Sequence, residues 1–151
     1  MYGGASRDPN GGHWFDGIAS GANARPPLYP DIILMMIGTN DANNSDRTAV
    51  HNDLHALLTK ITTERPDAKL IVAQITPSNR PNNVSYNADV ASEVQLFQAS
   101  GKHVTMVDMY TNFPPNSLYT DGVHPIDTGY EFMPQQWFDG IAAVGPQLKS
   151  R

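Results

Sequence analysis

Asp121-Gly122-Val123-His124-Pro125 sets a carboxylate three positions before an imidazole, in a segment built from turn-forming residues. At that spacing the carboxylate can reach the Nδ1–H of the histidine. It would then fix the tautomer and stabilise the imidazolium that forms when Nε2 takes up a proton. The chemistry on offer is general-base catalysis. The same residues also suit a plainer role, Asp121 as a turn former and His124 as a solvated loop histidine. A second segment, Gly38-Thr39-Asn40-Asp41, carries a carboxamide whose N–H₂ can hold a developing oxyanion. Asp41 can cap a turn or orient that loop, and Asn-Asp is also ordinary turn chemistry.

These segments need a frame, and the hydrophobic pattern supplies one. Ile32-Ile33-Leu34-Met35-Met36-Ile37 is apolar throughout and stops at Gly38, the habit of a strand covered on both faces in a parallel sheet. Val50, Leu54, Leu57, Leu58 and Ile61 then mark one face of an amphipathic helix, capped by Ser45 or Asp46 and closed before Pro66. A second covered strand is expected over 69–75, ending before Pro77. A helix follows over 83–100, with Tyr86, Val90, Val94 and Phe97 in register and Gly101 as its C′ residue. A third strand is expected over 103–109. Asp127 should cap a last helix with Tyr130, Met133, Trp137 and Ile141 on one side, and Pro134 should kink or restart it. The alternation implies a single three-layer α/β/α domain over 1–151 with a parallel sheet. Ligands bind beyond the carboxyl ends of such strands, so chemistry belongs in 38–41, in Thr76-Pro77-Ser78-Asn79 and in 110–125.

Composition narrows the classes. In 151 residues there is room for one core, and 40% hydrophobic with 17% charged residues is a globular balance. No run approaches the roughly 18 apolar residues of a membrane helix, so no membrane span is expected. The chain contains no cysteine, which removes disulfides, thiolate metal sites and cysteine nucleophiles together. A formal charge of -5 with no basic stripe argues against nucleic acid as a partner. Met1-Tyr2-Gly3-Gly4-Ala5-Ser6 has neither the basic nor the apolar region of a signal peptide.

The two motifs, in this order on this architecture, resemble the SGNH, or GDSL-type, hydrolases, a family of esterases, lipases and carbohydrate deacetylases. Gly38-Thr39-Asn40-Asp41 matches the family's block III and Asp121-Gly122-Val123-His124-Pro125 its block V. Pro66-Asp67-Ala68-Lys69-Leu70-Ile71-Val72-Ala73-Gln74 is in the family's style. Gly12-His13-Trp14-Phe15-Asp16-Gly17-Ile18-Ala19 looks like block II of the carbohydrate-esterase branch. The resemblance runs from about Tyr2 to Ala143. It implies a flavodoxin-like sheet and hydrolysis of short-chain acyl or acetylated-carbohydrate esters without metal or cofactor. By the same carry-over, His124 is the general base, Asp121 its orienting partner, and the Gly12 N–H and Asn40 side chain the oxyanion donors. Relatives in this branch are often secreted.

One family feature is missing. The sequence contains no Gly-Asp-Ser, the end of the family's first strand and the source of its nucleophile. Met1 to Ala5 stand where the second strand belongs, so the first strand and first helix are expected to be absent. The family's strand order is 2-1-3-4-5, and loss of the interior strand would leave residues 32–37 as a bare apolar edge. A homo-oligomer paired through that edge is the expectation. Ser6, Ser78 and Ser117 are the substitutes to consider, each with an ordinary loop role as its simpler reading. A water activated by His124 and Asp121 is another route. The alternative is an inactive member of the family, serving as a carbohydrate-binding or self-assembling domain.

The remaining histidines and tryptophans have plain readings. His51 and His55 are spaced to clamp a metal from one helix but lack an evident third ligand, and a solvated or packed pair is the simpler role. His13 can line a substrate site, and His103 begins a strand. Trp14 and Trp137 suit sugar stacking or, more simply, the core. The loop over 77–83 can shape substrate access. Ile126 stands where the family often has Asn, leaving Asp127 to cap the last helix.

Overall fold

A computed structural model describes residues 30–145; Gly12, Ser6, His13 and Trp14 lie outside them. The elements run β1 (Ile32–Met35), a 3-10 turn (Asp41–Asn43), α1 (Arg47–Glu64), β2 (Lys69–Ala73), α2 (Asn83–Ala99), β3 (Val104–Val107) and α3 (Asp127–Ala143). The strands form a parallel sheet in the order β1-β2-β3. Ile32 stands opposite Lys69, and Leu70 opposite Val104.

Alternation along each strand divides the core between two faces. Met35, Leu70, Val72 and Val104 pack with the apolar stripes of α1 and α2, including Leu54, Leu58, Ile61, Val90 and Phe97. Ile71, Ala73, Val107 and Met109 point the other way and are covered by Phe132, Met133, Trp137 and Val144. The result is the α/β/α layering that the sequence implies. Leu58 and Ile71 are fully buried, and truncating such a side chain to alanine typically costs about 2–5 kcal/mol.

Local signals account for most boundaries. The Asp46 carboxylate accepts the Ala49 N–H at 3.0 Å and caps α1. After α2, the Gly101 N–H donates to Gln98 O and the Lys102 N–H to Phe97 O, a Schellman closure with Gly101 at C′ as expected.

Four expectations need correction. The strands are shorter than the apolar runs, because side chains take over the backbone groups at their ends. The Ile75 N–H donates to Asn87 Oδ1, and Asn87 Nδ2 donates to Ile75 O. At β1 the Tyr86 hydroxyl donates to Ile37 O. Beyond β3 the Tyr110 and Thr111 N–H groups fold onto Asp108 Oδ1. Secondly, Asp127 does not cap α3. Ile126 is the N-cap and Asp127 lies in the first turn, where its charge favours the positive end of the helix dipole. Thirdly, of the kink or restart expected at Pro134, the restart does not occur, since Pro134 sits inside one continuous helix. Finally, Tyr130 and Ile141 are exposed, while Met133 and Trp137 face the sheet beside Gly140, whose absent side chain lets α3 close on Val107.

Candidate active site

Because the three strands are parallel, the segments leaving them emerge at one edge of the sheet. After β1 the chain passes Gly38, with φ +107°, into the 3-10 turn. A side chain at Gly38 is excluded twice, by that backbone conformation and by the Tyr86 ring, which lies 2.0 Å from where a Cβ would stand. Tyr86 is buried, and its hydroxyl bonds Ile37 O at 3.0 Å. Burial, with the charges of Asp41 and Asp89, pushes its ionisation well above the ordinary tyrosine range. The Asn40 carbonyl accepts the Asn43 N–H, while its exposed side chain caps no backbone group and is left for other partners. Burial, then the charge of Asp53, raises the Asp41 carboxyl above the usual carboxylate range.

Asparagines at the start of α2 hold these loops. Asn82 donates from its N–H to Ala42 O at 3.0 Å and from its side chain to Asn44 O at 2.8 Å. The Asn83 side chain donates to Thr76 O at 3.0 Å and to Ser78 Oγ at 2.9 Å. Asn79, in the loop after β2, donates from its backbone to Gly122 O at 2.8 Å and from its side chain to Asp121 O at 2.9 Å.

The histidine loop is a small hairpin. Leu118 and Pro125 form an antiparallel bridge, the Tyr119 N–H donates to His124 O, and the Gly122 N–H to Tyr119 O. Gly122 turns with φ +67°. Asp121 Oδ1 accepts the Val123 N–H at 2.8 Å and the His124 N–H at 3.0 Å, and Oδ2 meets His124 Nδ1 at 2.7 Å. The His124 ring, then its amide and that of Val123, lower the Asp121 carboxyl to about 2. An ionised carboxylate has no proton to give, so His124 Nδ1 is the donor in this contact. The His124 side chain is 58% exposed.

The other residues singled out from the sequence fall into place. Ser117 is buried, and its hydroxyl pairs with that of Thr128 at 2.8 Å, so it faces no substrate. Ser78 Oγ is held by the Asn83 side chain and the Arg80 N–H. His51 Nε2 and His55 Nδ1 contact the two oxygens of one buried carboxylate, Glu93, at 3.0 and 2.8 Å, an interhelical clamp. Among the described residues no group of three or more His, Asp or Glu is arranged to hold a metal. His103 accepts from Lys69 Nζ at 3.2 Å at the far end of the sheet, and Trp137 packs in the core. Asn79 falls in the 76–79 segment marked from the sequence, whereas the parts played by Tyr86, Asn82 and Asn87 carry no motif. The concentration of asparagine in 79–87 is the trace they leave in the sequence.

The parallel sheet with helices on both faces is the α/β fold of the SGNH-type hydrolases. A model of the GDSL-like lipase/acylhydrolase family matches residues 2–132, and the chain belongs to that family. A multidomain esterase from Ruminococcus flavefaciens is 32% identical over 130 residues, covering 78% of this chain and 17% of the relative. Among solved structures, a family 3 carbohydrate esterase from Clostridium thermocellum aligns with TM-score 0.68 at 27% identity, over 86% of this chain and 64% of that one. A family 3 carbohydrate esterase from Talaromyces cellulolyticus aligns with TM-score 0.67 at 26% identity, over 76% of this chain and 58% of that one. The chain therefore spans about a sixth of its curated relative and roughly three fifths of these esterases.

Proposed function

We propose that this chain serves carboxylic ester hydrolysis, with short-chain acyl esters, acetylated carbohydrates among them, as substrates. The observation that carries the reading is the 2.7 Å Asp121–His124 pair on an exposed hairpin at the carboxyl edge of the sheet. His124 Nε2 takes the proton of an attacking hydroxyl as its oxygen bonds the acyl carbon. Asp121 stabilises the resulting imidazolium, and the Asn40 side chain with the Gly12 N–H donates to the oxyanion. When the intermediate collapses, the ester C–O bond breaks and the leaving alcohol takes the proton from Nε2. Where the attacker is a serine, water then repeats the cycle on the acyl-serine and frees the acid; where it is water, the acid is released in the first displacement. With Ser78 and Ser117 engaged elsewhere, the attacking hydroxyl is Ser6, a serine outside this stretch of sequence, in this protein or another chain, or water.

Hydrolysis of p-nitrophenyl acetate tests the reading, with His124→Ala and Ser6→Ala alongside. Weak turnover that falls by about 10²–10⁴-fold in His124→Ala is expected. Equal inertness of wild type and His124→Ala would overturn it in favour of a binding domain that keeps the fold without the chemistry. Self-association through the β1 edge is the second part of the proposal, supported by Leu34 on the uncharged strand and Met36 just after it, 46% and 39% exposed.

A further inference from the structure

We infer that Asn79 is a positioning residue for the Asp121–His124 pair, an inference that rests on the ester-hydrolysis reading of that pair. One residue holds two consecutive carbonyls of the turn: its side chain donates to Asp121 O at 2.9 Å and its backbone to Gly122 O at 2.8 Å. Those peptide units set the direction of the Asp121 side chain and the path of the chain into His124. The fit is close, since a Cβ at Gly122 would stand 2.7 Å from Asn79 Nδ2.

Asn79 is itself tied to the body of the domain. Asn83, 4% exposed, holds Thr76 O and Ser78 Oγ just before it. Asn87, 3% exposed, pairs with both the N–H and the carbonyl of Ile75. A run of amide hydrogen bonds therefore leads from buried α2 through the loop after β2 to the turn that presents the histidine. Asp121 is half exposed and would otherwise be located only by bonds inside its own hairpin. Through Asn79, the imidazole is registered against the sheet, and with it against the Asn40 turn that Asn82 ties to the same helix. A base displaced by an ångström can lose about 10²-fold in rate, so such registration bears directly on turnover.

Asn79→Asp is nearly isosteric and turns the donor that meets Asp121 O into an acceptor, while Asn79→Gln keeps a donor. Both retain the backbone bond to Gly122. Three readouts apply: the His124 Nδ1 proton resonance, assigned by its loss in His124→Ala; kcat and KM for p-nitrophenyl acetate; and thermal melting. In Asn79→Asp the resonance should broaden or vanish and kcat should fall by about 10–10²-fold with KM little changed. Melting should be unaltered, and Asn79→Gln should recover part of both signals. An unchanged resonance in Asn79→Asp overturns the inference, as does an equal fall in melting temperature and kcat in both variants. If the wild type turns nothing over while Asn79→Asp still loses the resonance, Asn79's positioning of His124 stands and the ester-hydrolysis reading falls.

Discussion

Asp121 accepts two backbone amides with one oxygen and the His124 ring with the other, so its charge is bound up with the shape of its own turn. Its carboxyl is held at about 2, below the ordinary 3.8. The sign follows directly. Ionised Asp121 favours the folded turn at every pH above its ordinary value, and that contribution disappears as pH falls through about 2. Its exposure to water keeps the contribution small. A carbon-13 titration of the Asp121 carboxyl should give a midpoint near 2 in the wild type, moving toward 3.8 in His124→Ala, because the ring is the largest cause of the shift. An unmoved midpoint would mean that the amides alone hold the charge. Since Asp121 stays ionised above about pH 4, any change of turnover with pH in the neutral range arises in another group.

At the scale of elements, what matters is how the turns after the strands are tied to the helices. The junction after β1 depends on Tyr86 of α2, which fills the space at Gly38 and bonds Ile37 O. Tyr86→Phe keeps the ring and orphans a carbonyl beside the core, which should lower unfolding free energy by about 1–3 kcal/mol. Gly38→Ala should cost more than Tyr86→Phe, since the new Cβ collides with the ring and the residue must hold φ +107°. Urea midpoints for both variants test this, and an alanine at 38 as stable as the wild type would refute it. The Glu93 clamp belongs to the same scale. His51 and His55, spaced as a metal pair would be, instead close the seam between α1 and α2 on a buried carboxylate.

At the largest scale, the described residues cover the two sheet faces unequally. Two helices cover one face, and among the described residues α3 alone covers the other. Leu34, opposite Ile71, stands exposed on that side, and Tyr130, Phe138 and Ile141 are exposed along α3. Static light scattering over a wide dilution range should show a mass above that of one chain, and Leu34→Lys should shift it toward the monomer, since a charge at a strand edge opposes pairing. A clean wild-type monomer at all concentrations would end the proposed self-association.

The fold was legible because its signals are local. Period and turn residues mark Val50 to Ile61 as a buried helical face, and the apolar runs at Ile32, Leu70 and Val104 as strands of a covered sheet. The Asp121–His124 pair was legible for the same reason, three positions in one turn. The strand ends were not, because Asn87 and Tyr86 finish strands far from them in the chain. Nor could sequence separate Ser117, spent on Thr128 in the interior, from a serine open to substrate. Asn79 reaching Asp121 across 42 positions and Glu93 gathering two histidines belong to the same class. Periodicity and turn chemistry act over a few residues and are written in the sequence itself; which polar side chain answers which distant backbone group is decided only when the layers pack and bring them within hydrogen-bond reach.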